Sequence, residues 1–311
     1  MVKNAPRISG RGYSLFVVVL MLLLLDCRSS WADYKTVLTT DSAYSAIRIL
    51  DKDDGLRHML FGGYTQTVMR LGDPDYLYYA YVRSVMAGFA FLQKPAKNIL
   101  TVGLGGGSQQ QFIAGRFKDV TIDIFEIDPV VVDLAQKYFN FSPGTHGHVS
   151  IGDARRLLRK SNKKYELIIL DAYKAGAIPF HLTTREFVEL VKQHVSPGGV
   201  AAFHLWEEKV NKYLQNQIKT IADVFPRTYS FNTGERSYII FAARQSKWLS
   251  KEEVVARGKK IAVERVFPFD LEKLIIEQYG PASRIVADEL EGQILTDDFA
   301  PVNLLRHKSV Q

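Results

Sequence analysis

The chain has 311 residues, 47% hydrophobic and 23% charged, which supplies a substantial core and argues against long disorder. Its formal charge of +7 is modest for this length, and residues 33–311 alone hold 36 basic against 32 acidic side chains. With no basic stripe carrying interleaved aromatics, nucleic acid is excluded as a favoured partner.

Lys3, Arg7 and Arg11 precede an apolar run from Leu15 to Leu25, followed by polar residues and Ser30-Trp31-Ala32. This is the charged, apolar and small-residue order of a secretory signal, with cleavage expected after Ala32. As a helix the run would rise only about 17 Å, against ~30 Å of bilayer hydrocarbon. Residues 1–32 therefore read as a signal peptide of an exported, periplasmic protein with no stable membrane span after cleavage. Anchoring by this N-terminal segment is the alternative. Cys27 is the only cysteine and leaves with the signal, so the mature chain has no disulfide and no cysteine metal site.

Residues 33–92 alternate short apolar pieces with turns. Ala46–Leu50, Met59–Phe61 and Thr65–Met69 read as strands of a small antiparallel sheet. Tyr76–Phe91 has apolar residues at helical spacing and is expected to be one connecting helix.

From residue 93 to 245 strands alternate with helices. Strands are expected at Asn98–Val102, Val120–Phe125, His148–Ile151, Tyr165–Leu170 and, after Pro197-Gly198-Gly199, Val200–Leu205. Helices fall at Gln109–Ala114, Pro129–Phe139, Thr184–His194 and Val210–Phe225, with Thr228–Phe231 and Ser237–Ala242 as a closing antiparallel pair. The class is α/β: a mostly parallel sheet covered on both faces, preceded by the small β-domain. Residues 246–311 read as a charged helical extension ending in a loop around Asp297 and Asp298. That loop either closes over the sheet edge or caps a terminal turn.

The chemistry gathers at strand ends. Gly103-Leu104-Gly105-Gly106-Gly107 follows the first strand of the α/β region; such a turn brings backbone close to a ligand and opens amides at a helix start. Gly103, Gly105 and Gly107 are the candidate cofactor contacts, though a tight strand-to-helix turn alone would also use glycine. Glu126, ending the second strand, is placed to accept both ribose hydroxyl protons or to stand as a solvated strand end. Asp153, after the third strand, suits an adenine amino group or a helix N-cap. Asp171 ends the fourth strand, at the carboxyl edge where open α/β sheets bind ligands. His148, His181 and His204 lack the spacing of a metal site and read as core or rim residues.

In order and spacing, Gly103–Ser108, Glu126-Ile127-Asp128, Gly152-Asp153, Asp171, Thr184–Leu190 and Ser196-Pro197-Gly198-Gly199 resemble the spermidine synthase (polyamine aminopropyltransferase) family. The resemblance covers roughly residues 43–243. It implies a methyltransferase-like Rossmann domain and a cofactor that is decarboxylated S-adenosylmethionine, with intact S-adenosylmethionine as the alternative. Glu126 would meet the ribose and Asp153 the adenine. Gln66 and Tyr79 fall where the family contacts cofactor and substrate, and the acceptor would be a small-molecule amine. A homodimer is compatible with this reading.

Three positions depart from the family pattern. An aspartate is missing from the glycine turn at Gly106 or Gly107. Ala80-Tyr81 stands where His-Glu usually follows Tyr79. Asp171-Ala172-Tyr173-Lys174 replaces Asp-Ser-Ser-Asp, so Lys174 occupies the expected proton acceptor's place. A lysine near its ordinary pKa of about 10.4 neither attracts cations nor takes a proton. Lys174 is therefore a base only if strongly desolvated; otherwise it pairs with the carboxylate of intact S-adenosylmethionine or points to solvent. Asp171 and Lys174 are the candidate catalytic positions.

The expected function is a spermidine synthase-like transfer of an aminopropyl group to an amine. The alternatives are S-adenosylmethionine-dependent methyl transfer and a non-catalytic nucleoside-binding protein of the same fold. Ser108 and the Asp153 and Asp171 pair disfavour a nicotinamide dehydrogenase. Export sits awkwardly with a cofactor made in the cytosol.

Overall fold

The computed structural model describes residues 34–73, 75–173, 176–280 and 283–299. Residues 1–32, expected to be a signal peptide and including Cys27, lie outside the described residues, as does Lys174.

The N-terminal sheet is a four-stranded antiparallel meander: β1 (Tyr34–Asp41), β2 (Ala46–Lys52), β3 (Leu56–Phe61) and β4 (Tyr64–Arg70). Gly62-Gly63 makes the two-residue turn between β3 and β4. Ile47 and Ile49 of β2, Met59 and Met69 bury one face of this sheet. That face packs on Val131 and Leu134 of α3 (Pro129–Tyr138), which ties the small sheet to the large one.

The connecting segment departs from the expected single helix. Tyr76–Tyr79 precede the helical turns, α1 covers only Ala80–Val85, and Met86–Phe91 is a 3-10 turn buried on every side. A segment with no solvent face has no apolar stripe, so helical spacing carries little information there. The tight winding also serves packing, since a Cβ on Gly88 would lie 3.1 Å from Leu167 Cδ1.

The large sheet has eight strands in the order β12-β10-β11-β9-β8-β5-β6-β7. Here β5 is Asn98–Val102, β6 Thr121–Glu126, β7 Gly147–Ile151, β8 Tyr165–Leu170, β9 Val195–Trp206, β10 Thr228–Asn232, β11 Ser237–Ala243 and β12 Arg284–Ile285. β7, β6, β5, β8 and β9 are parallel; β11 and its neighbours pair antiparallel. β9 begins earlier than expected because the ladder runs through Pro197-Gly198-Gly199, with a register shift opposite Tyr165 and Leu167. β1, β12 and the short α4 (Ala154–Arg159) were not expected as separate elements.

Strand alternation divides the core. Ile99, Leu167, Ile169, Val200 and Ala202 face one side with α1, α2 (Ser108–Arg116), α7 (Lys251–Glu264) and α8 (Leu271–Gln278). Leu100, Ile168, Leu170, Ala201 and Phe203 face the other, beneath α4, α5 (Arg185–His194) and α6 (Leu214–Val224). This two-sided burial explains why the strands read as continuous apolar runs. The chain leaves β5 toward β7, then returns to β8 and builds outward toward β9. The order reverses between β5 and β8, the position where such sheets open a ligand crevice at their carboxyl ends. Among the described residues no helix is long and apolar enough to cross a membrane.

Candidate functional site

A cavity of about 630 Å³ opens at that reversal, beneath β4 and the aromatic segment before α1. Gln66, Tyr79, Gly103, Gly105, Glu126, Asp153 and Asp171, singled out above, all line it. Gly107 is not among the lining residues and lies instead against the Phe141 ring.

The glycines of the turn answer first to protein neighbours. Gly103 has φ +96°, and a Cβ there would sit 2.3 Å from the carbonyl oxygen of Asp171. This close approach brings the ends of β5 and β8 together. Gly106 donates its N–H to Thr67 Oγ1 at 2.8 Å, and a Cβ on it would lie 2.6 Å from Thr67 Cγ2. Gln110 Nε2 donates to the carbonyl of Gly103 at 2.9 Å. The turn is thus held from β4, β6, β8 and α2.

Glu126 supplies the hold from β6. Its Oε2 accepts from Leu104 N–H at 2.9 Å, and its Oε1 from Ile127 and Asp128 N–H at 2.8 and 3.0 Å. Burial pushes this carboxyl above its ordinary value, opposed by these three amides. A carboxylate keeps further lone pairs after three bonds, so a diol remains within its capacity.

Asp153 is the N-cap of α4 and also lines the cavity. Its Oδ1 caps α4 by accepting Arg156 N–H at 2.9 Å, and its Oδ2 lies 2.7 Å from His181 Nε2. Burial raises its pKa, but the Arg156 amide and His181 outweigh burial and leave it below the ordinary value. Both residues line the cavity.

At the other end, Asp171 is held between two side chains. Tyr81 donates its hydroxyl to Oδ2 at 3.1 Å, and His204 Nδ1 is 2.7 Å from Oδ1. The Tyr81 and His204 rings are stacked, 3.9 Å between centroids and 4° apart in plane. Tyr173 stacks on Trp206 and donates its hydroxyl to the His204 carbonyl at 3.0 Å. Burial and the Asp171 charge push the Tyr81 and Tyr173 hydroxyls well above their ordinary values, so both stay protonated donors. Burial pushes Tyr79 up to about 12. Tyr79 is the N-cap residue of α1 rather than a residue within it, and its ring stacks on Tyr81.

The lining is electrostatically one-sided. Glu126, Asp128, Asp153, Asp171 and Glu235 contribute five carboxylates against the guanidinium of Arg236 among the described lining residues. Such a wall favours cationic ligands. Sequence reading placed His181 and His204 in core or rim and noted Tyr81 only as a departure. It missed Thr67 and the pairing of Tyr81, His181 and His204 with the strand-end carboxylates. His204 carried one faint signal, its place two residues before Trp206 on the same face of the fifth parallel strand.

Asp297, left open by sequence, ties the C-terminal loop down. Arg155 Nη1 donates to its Oδ1 at 2.7 Å and Thr184 Oγ1 to the same oxygen at 2.8 Å. It is not among the residues lining the cavity and braces α4 and the start of α5.

The family model for the spermine/spermidine synthase domain matches residues 80–248. A polyamine aminopropyltransferase from Vibrio vulnificus is 34% identical over 234 residues, covering 74% of this chain and 76% of that protein. A solved probable spermidine synthase from Corynebacterium glutamicum shares the fold with a TM-score of 0.64 at 18% identity, covering 80% of this chain and 95% of that one. Human Methyltransferase-like protein 13, solved in complex with SAH, shares it with a TM-score of 0.55 at 24% identity, covering 61% of this chain and 94% of that one.

Proposed function

This chain belongs to the spermine/spermidine synthase family, and from that premise we propose that it moves an aminopropyl group from a decarboxylated S-adenosylmethionine-type cofactor to a small amine. The single observation that carries the reading is Asp171, a carboxylate fixed by Tyr81 and His204 at the carboxyl end of β8 and lining the cavity beside the glycine turn.

The residues present suit such a cofactor. Glu126 would take the ribose hydroxyls, and Asp153 with His181 would face the adenine. Gln66 and the backbone of Gly103 and Gly105 would border the tail. When bound, the cofactor supplies a carbon activated by its neighbouring sulfonium. Asp171 then holds the acceptor amine by charge and hydrogen bonding, with Tyr79 on the same wall. Transfer would form a C–N bond, break the C–S bond with its electron pair going to sulfur, and release one proton from nitrogen to solvent water. The acid-rich lining stabilises both cationic partners.

A second reading, methyl transfer from intact S-adenosylmethionine, is favoured by Lys174, a cation where the family carries an acid. Product analysis separates the two. The purified chain would be incubated with each cofactor form and a series of amines, and the nucleoside product identified by mass. Methylthioadenosine with an aminopropylated amine supports the first reading. S-Adenosylhomocysteine supports the second, and no nucleoside product from either cofactor rejects both.

A further inference from the structure

His204 is not a general feature of a packed β-strand. It is 3% exposed, on β9, with its ring flat against Tyr81 and 5.3 Å from the Tyr173 ring. Nδ1 lies 2.7 Å from Asp171 Oδ1, while Nε2 is buried with no hydrogen-bond partner among the described residues. An N–H at Nε2 would be a buried donor without an acceptor, and a proton on both nitrogens would add a charge beside that unmet donor. The arrangement that leaves least unsatisfied puts the ring proton on Nδ1, where Asp171 accepts it, and leaves Nε2 bare.

Each oxygen of Asp171 then accepts from a different element: Oδ1 from β9 through His204, Oδ2 from α1 through Tyr81. The Tyr81 and His204 rings brace one another by stacking, so neither donor turns without displacing the other. The groups facing His204 are Asp171 and Tyr173 from the loop that follows β8 and Tyr81 from α1.

We infer that His204 is a positioning residue that carries its proton on Nδ1 and, with Tyr81, locks the Asp171 carboxylate in the orientation that receives the acceptor amine. The inference rests on the transferase reading only in assigning Asp171 to the amine. A rigid carboxylate matters because an error of about 1 Å in placing a reacting group can cost on the order of 100-fold in rate.

Two substitutions separate positioning from packing. His204→Asn offers an amide N–H near the place of Nδ1–H, whereas His204→Leu fills similar space with no donor. His204→Leu is expected to lower kcat/KM for the amine by about 10- to 100-fold, and His204→Asn to recover most of that loss. Methylthioadenosine affinity, measured by calorimetry, is expected to stay within about threefold of wild type in both, since Asp171 faces the amine end. Equal activity loss in the two variants, or wild-type kinetics in His204→Leu, would overturn the inference.

Spectra of the protein carrying 15N-labelled histidine test the ring directly and need no turnover. An Nδ1–H pattern for His204 that changes in Asp171→Asn supports the inference; an Nε2–H pattern overturns it. Absence of turnover in the wild-type protein would defeat the transferase reading and leave these spectra to judge the imidazole.

Discussion

Thr67 of β4 accepts the backbone N–H of Gly106 at 2.8 Å, so the small N-terminal sheet closes the glycine turn of the large one. The two residues are 39 positions apart and both buried at this contact. Thr67→Val keeps the shape but strands the Gly106 amide. A loss of about 1–3 kcal/mol is expected by urea denaturation, the cost of a buried unsatisfied donor. Nucleoside affinity should fall with it, because the turn borders the cavity. An unchanged midpoint would show that water satisfies the amide instead.

Gly103 meets a harder limit. Alanine there must adopt φ +96° and place its Cβ 2.3 Å from the Asp171 carbonyl oxygen. Gly103→Ala should cost about 3 kcal/mol or more, through backbone strain and forced separation of β5 from β8. Denaturant midpoints of the purified variant, if it accumulates folded, measure this directly.

The succession of strands and helices, the glycine turn and the three carboxylates at strand ends were legible in the sequence because each is a local signal, whereas the order of the strands within the sheet is set by pairings between distant segments. A buried parallel strand is a short apolar run, and its terminal acid is the next residue or two. What escaped sequence reading joins distant segments. Tyr81 and Asp171 are 90 positions apart, and Asp171 and His204 are 33 apart. The reason for glycine was also hidden, since Thr67, Phe141 and the Asp171 carbonyl appear only on folding. Within Tyr76–Phe91, Met86–Phe91 misled because burial on all sides erases the contrast that periodicity measures.

Glu126 links the cofactor edge to pH. Burial raises its folded pKa above the ordinary 4.5, against the pull of the Asp128, Leu104 and Ile127 amides. A raised carboxyl pKa adds stability that is complete below 4.5 and lost as pH rises through the folded value. Relative to Glu126→Gln, the wild type should therefore gain stability on acidification through this window, read from denaturation midpoints. At neutral pH the same substitution should weaken adenosine-compound binding by about tenfold or more, as one charged hydrogen-bond acceptor is lost.

Asp297 has the opposite sign. The Arg155 hydrogen bonds hold its carboxyl below the ordinary 3.8, partly opposed by burial and aided by Thr184. A lowered pKa adds stability present above 3.8 and lost as pH falls through the folded value. Asp297→Asn should cost about 1–2 kcal/mol at neutral pH, a figure reduced for the aspartate's solvent exposure. The difference from wild type should shrink in acid, which a pair of melting curves at neutral and acidic pH would reveal.

The most direct test of the cavity as an adenosyl-compound site is calorimetric titration of the purified chain with decarboxylated S-adenosylmethionine, intact S-adenosylmethionine and methylthioadenosine, repeated with Glu126→Gln. The expected result is saturable binding of at least one compound at micromolar concentration by the wild type, weakened in the variant. No binding of any of the three by the folded wild-type chain would contradict the account.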